Sequence, residues 1–268
     1  MKQSKLTFSF GKNWKNYLKS VDKEEVNKAK DDIEEWLDKN YVSGKTILDI
    51  GSGSGIHSLA FYLLDAKTVY SFDFDEYSVE ATRSLWEKEG KPKNWIVSHG
   101  SILDKEYLKS FNEDFDIVYS WGVLHHTGAM WEAINSSINL VNPGGKLWIS
   151  LYAKGPRYSK DLALKQRYNS ASQIGKKWMI SKKIGRNMFS RLRHFKNPFT
   201  WNEKKSRGMN VYHDIVDWLG GLPYEVASEN EVLGVCREKG LILERIKVNG
   251  EGACSIYVFS LPCNVQKT

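Results

Sequence analysis

Apolar positions fall into two textures along the chain. Over residues 1–44 they recur at helical spacing: Trp14, Tyr17 and Leu18 share one face, and Val26, Ala29, Ile33 and Trp36 share another. From Lys45 onward, short apolar runs alternate with amphipathic stretches. Residues 46–49, 68–72, 94–99, 115–120 and 146–152 read as strands. Residues 58–64, 76–88, a stretch after Asp104, and about 130–140 read as the helices between them. Asn142-Pro143-Gly144-Gly145 reads as a turn. After a long interruption come a helix over 230–239, with Ser228 and Glu231 at capping-box spacing, and strands over 241–248 and 255–261. Only the turn 249–252 separates those two strands, so they should pair antiparallel. Alternating strands and helices imply right-handed crossovers. The expected fold is therefore α/β, a seven-stranded doubly wound sheet with an antiparallel last strand.

Composition narrows the class. A chain of 268 residues, 41% hydrophobic and 13% aromatic, can bury a substantial core and is not disordered. It contains no apolar run of about 18 residues, and its start has no stretch of signal-peptide character. A cytoplasmic protein is expected, with peripheral membrane contact left open. Cys236, Cys254 and Cys263 show no C-x-x-C spacing and read as reduced, small apolar residues. The histidines and acids have no metal-ligand spacing.

Charge adds what composition does not. The net charge is +7, but residues 155–208 hold 15 Lys/Arg against Asp161 and Glu203, a net of +13, while the remainder carries −6. A long structureless loop is uncommon inside a compact domain, so this basic insert after the fifth strand should be helical or docked. Over 180–195, Ile184, Met188, Leu192 and Phe195 form one stripe with Lys182, Arg186 and Arg193 opposite. Such a helix fits an anionic membrane surface, an acidic acceptor or RNA, or it is a lid with a solvated basic face.

The chemistry is concentrated after the first strand. Leu48-Asp49-Ile50-Gly51-Ser52-Gly53-Ser54-Gly55 runs from strand to helix, where doubly wound sheets bind nucleotides. A dinucleotide fingerprint needs a third glycine at 56, but that position is Ile56 and the glycine is at 55. The shift tightens the loop against an adenosyl-amino acid rather than a pyrophosphate. Asp73 ends the second strand 22 residues beyond Gly51, where a carboxylate can accept ribose hydroxyls; Phe74 beside it can lie along an adenine face. Asp73 can also be read as a helix N-cap, for which Asp75 is better placed.

These segments, with GSILD (100–104), FDIVYSWGVLHH (115–126) and NPGG (142–145), resemble the class I S-adenosylmethionine-dependent methyltransferases, in particular the ubiquinone-biosynthesis O-methyltransferase group. The resemblance spans roughly residues 45–155 and implies a Rossmann-like core with S-adenosylmethionine as cofactor. It places Gly51, Gly53 and Gly55 at the methionine moiety and Asp73 at the ribose. Ser101 and Ile102 fall at the adenine, and Ser120 and Trp121 along the cofactor. Serine stands at 101 where the family often has aspartate. FGKNW (10–14) resembles a segment closing over the cofactor, with Trp14 as its contact or as a helix-packing residue. The implied organisation is an N-terminal helical lid (1–44), a cofactor-binding core (45–154), a basic insert with an acceptor-pocket segment (155–227), and a helix and strand pair completing the sheet (228–268).

Methyl transfer is an in-line displacement in which the protein chiefly aligns the reactants and excludes water. A base is required only for an acceptor that arrives protonated, and histidine suits that role near neutral pH. His125 and His126, after the fourth strand, and His213, beside Asp214, are the candidate bases; because one histidine of an adjacent pair usually packs structurally, His126 and His213 are the two carried forward. RGMNVYHDIVDWLGGLPYE (207–225) resembles a segment C-terminal to the core in bacterial methyltransferases of this broad group. It is expected to wall the acceptor pocket, or else Trp218 and Tyr224 seal the core edge. The expected function is methylation of a small-molecule or lipid-like acceptor at oxygen. The rivals are an RNA or protein methyltransferase docking through the insert, and a non-catalytic adenosylmethionine-binding regulator. RNA base methylators often carry a catalytic cysteine or an N/D-P-P-Y/F motif, and SWGVLHH in its place makes nucleic acid the weaker partner.

Overall fold

A computed structural model describes residues 23–200 and 211–263. The first helix, α1 (Lys23–Leu37), precedes an alternation of β1 (Thr46–Ile50), α2 (Ile56–Leu63), β2 (Thr68–Asp73), α3 (Glu76–Lys88), β3 (Trp95–His99), α4 (Lys105–Lys109), β4 (Phe115–Trp121), α5 (Met130–Asn139) and β5 (Val141–Tyr152). Then come α6 (Tyr158–Ser170), α7 (Gln173–Arg193), α8 (Val211–Gly220), α9 (Glu229–Glu238), β6 (Ile242–Lys247) and β7 (Cys254–Ser260). The sheet order is β3-β2-β1-β4-β5-β7-β6. The first five strands are parallel, and β7 pairs antiparallel with both β5 and β6. This is the doubly wound architecture expected, with β7 alone running against the other six strands of the sheet. Among the described residues, no helix is long and apolar enough to cross a membrane.

Every residue of β1 is buried, as a central parallel strand covered on both faces requires. One face packs on α5 and α9 through Met130, Ile134, Ile138, Val232 and Cys236. The other packs on α1 and α2 through Ile33, Leu37, Leu59 and Phe61, so the described part of the N-terminal segment belongs to the core. The insert makes a third layer, in which Tyr168 of α6, Met179 and Ile180 of α7, and Ile215 and Leu219 of α8 pack together.

Four local features depart from the sequence pattern. Helix α2 begins at Ile56, two residues early, because Gly55 at φ +79° is itself the N-cap. The Asn-Pro-Gly-Gly turn lies inside β5, where the ladder slips between Phe115↔Val141 and Ile117↔Lys146. Helix α7 runs over Gly175 and Gly185. Its inward face is Met179, Ile180 and part of Ile184, whereas Leu192 and Phe195 of the expected stripe point to solvent, Phe195 beyond the helix end. Only the first half of α7 meets α6 and α8, so the apolar residues of its second half have no core to enter.

A buried polar chain ties three strands to α2. Trp95 Nε1 donates to Ser71 Oγ (2.9 Å), Ser71 Oγ to Ser58 Oγ (2.8 Å), and Ser58 Oγ to Asp49 Oδ2 (2.5 Å). Burial lifts the Asp49 carboxyl to about 7, against the lowering effect of the Ser58 bond and with a smaller push from Asp73. Ser58→Ala removes the hydroxyl donor to Asp49 and leaves the Ser71 hydroxyl proton without its acceptor, Trp95 still donating to Ser71. It should destabilise the protein by about 1–3 kcal/mol, read as an earlier urea midpoint at unchanged slope. An unchanged midpoint would show that the chain is not holding α2 to the sheet.

Candidate active site

The strand order reverses between the parallel neighbours β1 and β4, and the glycine loop turns there. Gly51 and Ser52 both donate their N–H groups to Phe72 O, at 2.8 and 3.1 Å. Gly51 sits at φ +75°, and a Cβ there would stand 2.5 Å from both Cγ atoms of Val123. Backbone therefore forms this wall, with no room for a side chain. At the end of β2, Asp73 Oδ2 accepts from Gly53 N (3.0 Å) and Oδ1 from Asp75 N (2.9 Å). Burial raises its carboxyl to about 6 against these N–H bonds. Asp75 is the N-cap of α3, accepting from Tyr77 N, which leaves Asp73 to the loop.

Gly51, Gly53, Asp73, Phe74, Ser101, Ile102 and Trp121 all line one cavity of about 1400 Å³. Two expected cofactor contacts are not in its wall. Gly55 stands behind the loop, where a Cβ would lie 2.8 Å from Thr82 Cα, so its glycine serves helix packing. Ser120 is fully buried, with Oγ donating to Ile50 O at 3.1 Å, and braces β4 against β1. Trp14 lies outside the described residues. The backbone of His213 belongs to α8, and its side chain is outside what is described.

The cavity widens away from Asp73 toward the insert. Tyr152, His125 and His126 form one side of this end, Trp218, Asp214 and Asp217 of α8 another, and Arg157, Arg167, Lys182, Lys183 and Arg186 bring cations from α6, α7 and the turn before them. Trp218 thus belongs to the wall. Tyr224 is buried behind it, stacked on Tyr158 at a centroid distance of 5.6 Å. His126 lies 2.6 Å from Pro223 O through Nδ1, which must then carry the proton. His125 has the opposite tautomer: Nδ1 accepts from Tyr152 N (3.3 Å), so Nε2 carries the proton, and that buried N–H has no hydrogen-bond partner among the described residues. Burial pushes both histidines down, His126 to about 3, so both are neutral at physiological pH.

Sequence reasoning passed over Lys165 and set His125 aside as the packing member of its pair. His125 was visible in the pair, but only structure separates the ring with an unpartnered N–H from its neighbour. Lys165 gave no signal among the insert's cations. It is fully buried, donates to Trp218 O, and lies 4.5 Å from the ring centres of both Trp218 and Tyr224. Burial, assisted by Lys183, lowers its ammonium to about 7. No group of metal-ligating side chains is present among the described residues.

A loop whose glycines bring bare backbone to the cavity and a recessed carboxylate suit an adenosyl ligand, whose ribose hydroxyls can donate to Asp73. Known proteins agree. The family described as "Methyltransferase domain" matches residues 42–207. The ribosomal protein L11 methyltransferase of Photobacterium profundum is 35% identical over 116 residues, 43% of this chain and 36% of that protein. That of Enterococcus faecalis is 36% identical over 75 residues, 28% of this chain and 22% of the relative. The chain thus matches about a third or less of these relatives' length. Two solved structures share the fold. Magnesium protoporphyrin IX methyltransferase (ChlM) from Synechocystis PCC 6803 with bound SAH has a TM-score of 0.52 at 15% identity, over 86% of this chain and 81% of that one. A putative sarcosine dimethylglycine methyltransferase from Galdieria sulphuraria has a TM-score of 0.56 at 10% identity, over 88% and 85%. The chain belongs to the methyltransferase-domain family and has the Rossmann-like fold of the S-adenosylmethionine-dependent enzymes it resembles.

Proposed function

We propose that this enzyme methylates an acidic oxygen of a small-molecule or lipid-like acceptor, the kind of chemistry performed by the ubiquinone-biosynthesis O-methyltransferase group that its motifs resemble. In this reading Gly51 and Gly53 receive the methionine moiety, Asp73 the ribose, and Phe74, Ser101 and Ile102 the adenine. Segment 155–227 supplies the acceptor wall. The cofactor brings an electrophilic methyl on a sulfonium; the residues of this chain align the acceptor oxygen and keep water away.

The carrying observation is the acceptor end itself, where two neutral histidines face five Lys/Arg set among the carboxylates of Asp161, Asp214, Asp217 and Glu251. A histidine whose conjugate acid sits near 3 is a poor base for a hydroxyl proton. The base role expected for His126 is therefore replaced by positioning. The cations favour an acceptor whose oxygen arrives ionised, so no base is needed, and the His125 Nε2–H donates to that oxygen. A second reading, a protein acceptor, rests on the name of the L11 methyltransferases, whose match to this chain covers only a minor part of them.

Three outcomes test this. S-adenosylhomocysteine should bind and NAD should not. Asp73→Ala should weaken adenosylhomocysteine binding by about 1.5–3 kcal/mol in calorimetry, the worth of hydrogen bonds to a charged acceptor. Because hydroxyls donate better to a carboxylate than to a carboxylic acid, wild-type affinity should rise from pH 5 to 7, through the Asp73 value of about 6, and then level. The Asp73→Ala variant should lack that rise; an equal rise in both would remove Asp73 from the site.

The second test is catalytic. His125→Ala should lower turnover by about 10²-fold, the usual cost of one donor to a developing or anionic oxygen, with cofactor affinity unchanged. His125→Gln should restore part of the loss. The wild-type to variant ratio should stay constant from pH 6 to 8, since neither ring titrates there. Full activity in His125→Ala would refute the assignment. Radiolabelled methyl transfer into lipid, small-molecule and protein fractions separates the two acceptor readings.

A further inference from the structure

Helix α7 buries one face and leaves another uncovered. Met179 and Ile180 pack inward, while Ile174 is 82% exposed, Trp178 59% and Phe189 63%, with Leu192 also exposed. At about 100° per residue these four fall within roughly 60° of one another, so they form a single stripe along the helix. Phe195, 100% exposed, and Phe199, also exposed, extend it past the helix end. Lys182, Arg186 and Arg193 flank the stripe on one side and Lys177 on the other. Soluble surfaces rarely gather so much aromatic and aliphatic area without a use.

The charge around the stripe identifies what it fits. Residues 162–202 contain ten Lys/Arg and no Asp or Glu, although the rest of the chain is acidic on balance. An uncompensated cationic collar around an aromatic stripe is complementary to a surface that is anionic outside and apolar beneath. We propose that α7 and the turn after it lie in the headgroup layer of an anionic phospholipid bilayer, with Trp178, Phe189, Leu192 and Phe195 inserted among the acyl chains. Trp178, Lys182 and Arg186 also line the catalytic cavity, so docking would hold its mouth against the lipid. Only that consequence, direct delivery of a lipid-like acceptor, rests on the reading of function above; the docking itself does not.

The test is flotation of the full chain with vesicles of phosphatidylcholine alone and of phosphatidylcholine with roughly 30% phosphatidylglycerol. Wild type should float only with the anionic vesicles. Its binding should weaken at least tenfold between about 0.05 and 0.5 M salt, as the Debye length contracts. Phe189→Ser/Leu192→Ser/Phe195→Ser and Lys177→Glu/Arg193→Glu/Lys196→Glu should each lose binding by about tenfold or more. Both variants should keep wild-type melting temperature and adenosylhomocysteine affinity, since none of these side chains enters the core or the cavity. The proposal is overturned if wild type ignores anionic vesicles at low salt. It is also overturned if the apolar triple variant binds them as well as wild type, which is adsorption of charge that an RNA would share. Self-association in sedimentation that this triple variant abolishes would overturn it too, by giving the stripe to a second copy. Flotation without methyl transfer to any lipid fraction would refute the acceptor reading and leave the docking standing.

Discussion

The site hangs on a carboxyl group that is out of water. Asp49 sits in the fully buried β1, one residue before the chain must leave the sheet and turn through Gly51 and Gly53. Its bond from Ser58 fixes the first turn of α2, and the continuation through Ser71 to Trp95 fixes β2 and β3 to the same point. A buried polar network of this kind is worth most when every member is satisfied, and it specifies one arrangement of the elements that share it. With β1, α2 and β2 locked, Asp73 can reach Gly53 from the neighbouring strand. The loop geometry and the carboxylate beside it are therefore one construction.

At the other end of the cavity the same principle works by charge. Burial keeps His125 and His126 neutral, and the nearby Lys165 opposes their protonation further. Lys165, enclosed by Tyr152, Trp218 and Tyr224, ties α6 to the last turn of α8, where carbonyl groups favour a cation. The helices of the insert are thus joined to each other, and through Tyr152 to β5, by aromatic faces and a helix end, and the inner surface presents both cations and the carboxylates of Asp161, Asp214 and Asp217 to the cavity.

The core was legible because parallel strands with glycine punctuation leave a strong pattern. Strand boundaries other than the start of β5, the α3 cap at Asp75 and the capping box at Ser228–Glu231 follow from local chemistry. The motif spacing also located the loop and Asp73. It could not tell a residue in the wall from one directly behind it: Gly55 and Ser120 are adjacent in sequence to lining residues but face α3 and β1. Nor does periodicity choose between two apolar faces of one helix. In α7 both 179–180–184 and 184–188–192 are plausible inward stripes by spacing, and only contact with α6 and α8 decides. The burial of Lys165 had no trace in sequence, since a lysine among many lysines carries no mark of the rings that will surround it.

The position of β7 has a consequence for how the chain is made. It lies between β5 and β6, yet about a hundred residues separate Tyr152 from Cys254. While the ribosome adds the insert and α9, the Lys146–Tyr152 part of β5 has no neighbour on one side, and Leu147, Trp148, Ile149 and Leu151 line that open rim. An unpaired apolar strand is a template for other chains. Nascent molecules must keep it covered until the last strand arrives, which makes the time spent synthesising the insert the hazardous interval in this protein's biogenesis.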